Sequence, residues 1–213
     1  MHTVVVFDWD DTLCPSSWLH AHDLLPAYQG HVVCLSPFVQ DVLCMLSDKV
    51  CDLLDRAQAY GPVFVVTAAE GGWVETACKL YMPAVGRLLA ASPDIHIVSA
   101  RTWFEGTFGE GGDARHWKLE VLALIATKCF SEDRGHVNNL VSVGDSMAER
   151  DACHAVVNAS PHIFAKTLKF IELPDIMEIA HQVELAFGSL DQMCHWNNHL
   201  DLQITRSQLE QLF

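Results

Sequence analysis

Several polar side chains in this sequence stand where short apolar runs end, a position that suits binding and catalytic groups. Asp8 and Asp10 follow a run of apolar residues near the start of the chain. Thr67 closes a second such run, and Asp145 follows a third. Carboxylates and hydroxyls can act as nucleophiles, acids, bases or metal ligands. Because ligands bind at the carboxyl ends of the strands in an open parallel sheet, these four groups would meet at one edge if their strands are neighbours.

The elements that must hold these groups are short apolar runs alternating with longer segments of helical period, which predicts β–α units and a parallel sheet. A length of 213 residues suits one α/β domain over residues 1–213, with residues 190–213 a C-terminal extension of uncertain structure. Strands are predicted at residues 3–8, 62–67, 94–99, 140–143 and 162–170. Helices are predicted from residue 36 onward and over residues 73–91 (bent at Pro83), 114–130, 147–157 and 175–187.

Three aspartates at one edge would crowd negative charge. Singly, Asp8, Asp10 and Thr67 could be turn or cap residues, since such side chains bond nearby backbone amides. Together, Asp8, Asp10 and Asp145 need a compensating cation or proton. Mg²⁺ prefers carboxylate, carbonyl and water oxygens, so the set predicts a magnesium site.

Four segments resemble, in order, the four motifs of the haloacid dehalogenase (HAD-like hydrolase) superfamily. Asp8-Trp9-Asp10-Asp11-Thr12 matches its D-x-D-x-T first motif, and Thr67 its second. Lys118 is similar to the third-motif lysine at a helix start, and Gly144-Asp145-Ser146-Met147-Ala148-Glu149 resembles the fourth. The resemblance implies a three-layer Rossmann-like α/β fold with a central parallel sheet of strand order 5-4-1-2-3 and a minimal cap or none.

The resemblance also implies an activity, a Mg²⁺-dependent phosphomonoester hydrolase. Asp8 would be the nucleophile that forms an aspartyl-phosphate. Asp10 would be the acid/base, and its presence favours a phosphatase because dehalogenases lack an acid there. Thr67 would hold a phosphoryl oxygen, and Lys118 would offset charge on Asp8. The implied metal set is Asp8, the Asp10 backbone carbonyl, Asp145 and Glu149.

Some assignments have competitors in the sequence. Lys128 competes with Lys118, which is preferred because Lys128 lies near the far end of the same predicted helix. Glu149 stands where many relatives have Asp, with Asp151 close by, and would act through water or orient Lys118. Asp11 is expected to be a loop or cap residue.

Other candidate residues in the sequence carry weaker signals. His195 and His199 have helical metal-ligand spacing but lack the glutamate of a zinc-protease motif. The glycine-rich loop at residues 106–112 is not a nucleotide fingerprint, because it follows no strand in the required way. Three tryptophans could line a substrate entrance or pack in the core: Trp9, Trp73 and Trp103.

The intervals between the motifs leave no room for a folded cap, so only a short flap is expected at residues 14–25. An open site suits a bulky substrate, such as a phosphoprotein or another macromolecule, or a small molecule that an oligomeric partner covers. The net charge of −14 disfavours nucleic acid and acidic membrane surfaces as partners. No signal peptide and no apolar run of about 20 residues is apparent, which predicts a cytoplasmic protein. Eight cysteines without a C-x-x-C pair are expected to be small buried hydrophobes in a reducing compartment.

Two other function classes remain open from the sequence. One is a non-catalytic phosphate- or protein-binding member of the same fold, against which the intact Asp8, Asp10, Thr67 and Lys118 argue. The other is a phospho-acceptor receiver domain, whose reactive aspartate would follow a middle strand rather than the first. The oligomeric state is not predicted.

Overall fold

Six parallel strands form one central sheet in the computed structural model, which describes residues 2–26, 33–130 and 137–213. The strands are β1 (Thr3–Asp8), β2 (Val63–Thr67), β3 (Ile95–Ser99), β4 (Asn138–Gly144), β5 (Ile163–Lys169) and β6 (Leu200–Gln203). The helices are α1 (Ser16–Ala21), α2 (Pro37–Gln58), α3 (Trp73–Tyr81), α4 (Pro83–Ala91), α5 (Ala100–Phe108), α6 (Ala114–Phe130), α7 (Met147–Asn158), α8 (Ile176–His195) and α9 (Arg206–Leu212).

The strand order is β3-β2-β1-β4-β5-β6, with every neighbouring pair parallel. The predicted α/β class with a central parallel sheet is therefore confirmed. The predicted order 5-4-1-2-3 differs from the observed one in that it lacks β6, which pairs with the outer side of β5, whereas the order of β1 to β5 is as predicted. β6 escaped prediction because it has only four residues and its burial is slight.

The sheet separates two hydrophobic cores, which gives the domain three layers. Along β1, Val5 and Phe7 belong to the core packed by α2, α3, α4 and α8, while Val4 and Val6 belong to the core packed by α5, α6 and α7. A strand buried on both faces needs apolar residues at every position, which explains the unbroken run of β1. All six residues of β1 are buried.

Several predicted helix boundaries need correction. Residues 73–91 form two helices rather than one bent helix, because Met82 between them adopts φ −136° and Pro83 begins the second helix. Gly106 lies inside α5, so the predicted glycine-rich loop is shorter than residues 106–112. The helix capped by Asp175 continues to His195, well past residue 187.

The C-terminal segment is tied to the sheet through β5. Lys166, which is fully buried, donates from Nζ to the carbonyls of Met193 (2.6 Å), Cys194 (3.2 Å) and Trp196 (2.6 Å) at the end of α8. On β6, Asp201 accepts hydrogen bonds from Thr167 Oγ1 at 2.6 Å and from Arg150 Nε at 2.7 Å. Residues 190–213 thus end a long helix, add an edge strand and finish with a short helix.

The segment after β1, where a flap was predicted, packs onto the domain. It contains α1, whose Leu19 is fully buried, and the carbonyl of Leu24 accepts a hydrogen bond from Tyr81 Oη at 2.6 Å. The described residues between β1 and β2 otherwise form α2, and those between β2 and Lys118 form α3, α4, β3, α5 and the start of α6.

Two further expectations concern composition. The cysteines are unpaired, and Cys14, Cys78, Cys153 and Cys194 are buried as expected. Cys34 and Cys44 are exposed, so the expectation of buried cysteines is wrong for these two. Within the described ranges, no helix combines the length and the apolar character that crossing a membrane requires.

Candidate active site

The predicted functional groups of β1, β2 and β4 meet at one edge of the sheet. β1 lies between β2 and β4, and all three strands run in the same direction. Asp8 is the last residue of β1 and is paired with Val66, so Thr67 follows one position beyond it. Asp145 directly follows β4, which ends at Gly144. The strand ends therefore bring together side chains that are far apart in sequence.

The helix α6 adds Lys118 to this edge from one side. Its Nζ lies 2.7 Å from Asp8 Oδ1 and also contacts Glu149 Oε1, and all three side chains are buried. The other oxygen of Glu149 accepts from Ser146 N (3.1 Å) and Ser146 Oγ (2.6 Å), forming the capping box of α7. Glu149 is thus fixed by the start of α7 while it holds the ammonium of Lys118.

The competing residues lie elsewhere. Lys128 is exposed in the last turn of α6, and Asp151 is exposed on α7. Asp11, at φ 55°, accepts a hydrogen bond from Ser17 N at 2.8 Å through Oδ1, as a loop residue at a helix start does. The second acid that contacts Lys118 is therefore Glu149.

Gly144 is needed where β4 turns toward α7. A Cβ placed on this residue would lie 2.5 Å from Glu149 Cγ and 2.9 Å from Glu149 Cβ. These atoms are near the backbone of α7 and cannot easily move aside. Glycine therefore allows the Glu149 side chain to pass close to the end of β4.

Asp10 is held by three donors. Its Oδ1 accepts from Ser16 Oγ at 2.6 Å and from the Trp73 indole Nε1 at 2.8 Å, and its Oδ2 accepts from Thr67 Oγ1 at 2.6 Å. Thr67 Oγ1 itself accepts from Ala69 N at 3.0 Å. Because a carboxylate is an acceptor on both oxygens, these contacts fix its orientation without any charged partner.

Asp8, Asp145 and Glu149 form an acidic cluster in which one oxygen from each residue lies within 4.8 Å of the others. Burial raises the pKa of Asp8 well above its usual range, and Lys118 only partly opposes this. Burial, followed by the charge of Glu149, raises the pKa of Asp145 to about 7. Burial alone would lower the pKa of Lys118, but Asp8 and Glu149 raise it above its ordinary value.

This cluster fits a divalent cation. Three carboxylates face one ammonium, so the ionised cluster carries an excess of two negative charges. Oxygen ligands of this kind suit Mg²⁺ among the common cations. The side-chain oxygens of Asp10 stay outside the cluster, bonded to Ser16, Trp73 and Thr67. The Asp10 backbone carbonyl stays a predicted metal ligand, implied by the family resemblance.

Sequence reasoning missed Ser16 and Lys169 at this edge, and it named Trp73 only as a residue that could line a substrate entrance or pack in the core. Ser16 and Trp73 orient Asp10, and Lys169 donates to the backbone carbonyl of Asp145 at 2.9 Å. Lys169 pairs with Gly144 in the sheet register and ends β5. The rule that functional groups follow strand ends would have found Lys169, whereas the contacts of Ser16 and Trp73 depend on how α1 and α3 pack.

Apart from Trp73, which donates to Asp10, the weaker candidates do not gather at this edge. Trp9 is fully buried and its Nε1 has no hydrogen-bond partner among the described residues, so it is a core residue. Trp103 packs against the core on the α5–α6–α7 side. His195 Nδ1 contacts the carbonyl of Asp191 (2.7 Å), while His199 Nδ1 accepts from Ala165 N (3.1 Å).

The predicted catalytic set is thus found in one place, with Asp8 and Lys118 in contact and with Asp10 and Thr67 in contact. Asp145 and Glu149 share the acidic cluster with Asp8. Comparisons with protein-family models, curated proteins and solved structures found no match to this chain.

Proposed function

We propose that this chain is a Mg²⁺-dependent phosphomonoester hydrolase of the haloacid dehalogenase type, which acts through an aspartyl-phosphate on Asp8. The observation that carries the proposal is the buried contact of Lys118 Nζ with Asp8 Oδ1 at 2.7 Å, inside an acidic cluster at the carboxyl edge of a parallel sheet. A carboxylate whose charge is partly offset by a fixed ammonium can approach an anionic phosphoryl group.

In the first step, a carboxylate oxygen of Asp8 attacks phosphorus. The ester P–O bond breaks, and its electron pair leaves with the departing oxygen, which takes a proton from Asp10. Lys118 and the hydroxyl of Thr67 offset charge on the phosphoryl oxygens. The contact of Thr67 Oγ1 with Asp10 Oδ2 supports this pairing of roles, because a phosphoryl group held by Thr67 would lie beside the acid.

In the second step, a water molecule attacks the aspartyl-phosphate and gives a proton to Asp10. The P–O bond to Asp8 breaks, which releases inorganic phosphate, restores the carboxylate of Asp8 and leaves Asp10 in the acid form that the next turnover needs. Asp8, Asp145, Glu149 and the backbone carbonyl of Asp10 would hold Mg²⁺. The bound cation would neutralise negative charge that develops on the phosphoryl group.

The proposed substrate class is a phosphorylated macromolecule, in particular a phosphoprotein. The described segments beside the site form helices that pack on the sheet, with α1 after β1 and α3 after β2. The described residues between β1 and Lys118 form no separate cap domain, which supports a bulky substrate. The net charge of −14 supports protein rather than nucleic acid as the carrier of the phosphate.

The proposal is tested with an aryl phosphate, assayed with and without Mg²⁺. We expect Mg²⁺-dependent turnover that falls by about three orders of magnitude or more in Asp8→Asn, because the nucleophile is lost while the shape is kept. The matched control is Asp151→Asn, an exposed aspartate on α7 that lies outside the acidic cluster.

The control variant should retain the wild-type rate within about two-fold. Trapping of a labelled phosphoryl group on Asp8 by acid quenching would give independent support. Absence of metal-dependent turnover with every phosphate ester, together with tight binding of inorganic phosphate, would instead favour a non-catalytic phosphate-binding protein.

A further inference from the structure

The two oxygens of Asp10 differ in the kind of donor that they meet. Oδ2 meets only the hydroxyl of Thr67, whereas Oδ1 meets the hydroxyl of Ser16 and the indole Nε1 of Trp73. A hydroxyl can turn and become an acceptor, but an indole N–H can only donate. When Asp10 is protonated, the N–H of Trp73 therefore favours Oδ1 as the oxygen that carries no proton.

We propose that Trp73 is a positioning residue for the acid/base Asp10, which directs the transferable proton to Oδ2 on the side of Thr67. The inference rests on the proposed function, because it assigns a role within the phosphoryl transfer. The indole N–H holds Oδ1, so Oδ2–H points toward the phosphoryl position beside Thr67. As the ester bond breaks, the proton moves from Oδ2 to the leaving oxygen. The carboxylate that remains still accepts hydrogen bonds at Oδ1 from Trp73 and Ser16.

The position of Trp73 in the fold suits this role. It is the first residue of α3 and follows Gly72, whose φ of +90° turns the chain from the loop after β2 into the helix. The body of the indole packs against the core on the α2–α3–α4–α8 side, which fixes the direction of the N–H. The 2.8 Å contact with Asp10 therefore comes from a ring anchored by packing.

The test is Trp73→Phe, which keeps an aromatic ring for packing and removes the N–H. General acid assistance matters for a poor leaving group and little for a good one. We therefore expect kcat for a simple alkyl phosphate to fall by about 10- to 100-fold, and the loss for dinitrophenyl phosphate to be at least about ten times smaller. KM should change far less than kcat for the alkyl substrate.

Trp117→Phe is the matched control, because Trp117 Nε1 also donates to an oxygen, the carbonyl of Gly111 at 3.0 Å, away from Asp10. This variant should lower the two rates in equal proportion, if at all. An equal loss on both substrates in Trp73→Phe, or no loss, overturns the positioning role while the proposed function survives. If the wild type hydrolyses neither ester, the proposed function has failed.

A second measurement does not depend on turnover. Heteronuclear NMR spectra of the wild type should show the indole N–H signal of Trp73, assigned by its disappearance in Trp73→Phe. Asp10→Asn replaces a charged acceptor with a neutral amide, so this signal should move more than those of the other five tryptophans. Asp11→Asn should leave the signal in place. An unmoved Trp73 signal in Asp10→Asn overturns the proposed contact.

Discussion

At the scale of single residues, the site has an excess of buried acid. Lys118 neutralises one of the three carboxylates in the acidic cluster, and the rest is offset only by protons or by a cation. Ser146 and Gly144 add no charge, but they fix Glu149 so that Lys118 is held between two acids. The three carboxylates of the cluster could therefore hold a metal ion.

A testable consequence concerns stability, pH and Mg²⁺. The pKa of Asp145 is raised from its ordinary 3.8 to about 7 by burial and by Glu149, so the folded protein holds this proton more tightly than the unfolded chain. Without metal, this carboxyl therefore makes the protein less stable as pH rises through the range from about 4 to 7. Mg²⁺ should remove this penalty because it binds the ionised cluster.

Thermal unfolding followed with and without Mg²⁺ measures this effect. At a Mg²⁺ concentration 100 times its Kd, we expect the free energy of unfolding to rise by about 2.7 kcal/mol, which corresponds to roughly 5–10 °C in Tm. The gain should be larger near pH 8 than near pH 5, where protons compete with the metal. Asp145→Asn should abolish most of the gain and flatten the pH dependence, and an undiminished Mg²⁺ effect in this variant would rule out Asp145 as a ligand.

Much of the candidate site could be predicted at the residue scale, because strand-end position requires only the apolar runs. Asp8, Thr67 and Asp145 were found in this way, and Lys118 by its resemblance to a motif. The donors to Asp10 could not be predicted, since Ser16 and Trp73 reach it from helices whose packing no local pattern encodes. Whether the set is catalytic stays a prediction.

At the scale of elements, strands buried on both faces were the easiest to predict, since they require uninterrupted apolar runs. β1 has the predicted bounds of residues 3–8. The division of residues 73–91 into α3 and α4 was missed, because a proline after Met82 is compatible with a kink as well as with a break. β6 was missed because its residues become a strand only through partners on β5 and α7, such as Thr167 and Arg150.

The end of α8 provides a prediction at this scale. Lys166 donates to the carbonyls of Met193, Cys194 and Trp196 at the end of α8, and Asn139 Nδ2 also donates to the carbonyl of Cys194 at 3.0 Å. The positive charge of Lys166 suits the negative end of the helix dipole. Lys166→Met should lower the free energy of unfolding by about 2 kcal/mol, because buried carbonyls lose their donor.

Urea denaturation measures this change, and Lys49→Met is the control. Lys49 forms an ion pair with Glu184 on the surface, where both side chains are partly exposed, so its loss should cost at most about 1 kcal/mol. A Lys166 variant as stable as the Lys49 variant would show that the buried ammonium contributes nothing beyond its own desolvation cost.

At the scale of the whole molecule, the net charge of −14 opposes the approach of a phosphate dianion. Salt screens this repulsion, with a Debye length that falls from about 30 Å at 0.01 M to about 8 Å at 0.15 M. For a phosphoserine peptide flanked by glutamates, kcat/KM should therefore rise by about 2- to 5-fold over this range at constant Mg²⁺.

The same peptide flanked by lysines is the matched control. Its net positive charge is attracted by the protein, so its kcat/KM should fall as salt is added. Parallel salt trends for the two peptides would mean that the field of the whole molecule does not act at the site. If the two peptides show opposite salt trends, as predicted, the result would also indicate that the protein prefers phosphoprotein segments rich in basic residues.

The short strand β6 has a further consequence for the chain in crowded surroundings. An unpaired strand edge is a template for pairing with another chain, which leads to aggregation. Without β6, the seven-residue β5 would present such an edge, and most of its side chains are apolar or small. β6 covers it with only four residues, one of them the charged Asp201. β6 thus replaces part of the longer β5 edge, at Lys166–Lys169, with a shorter edge that carries a charge.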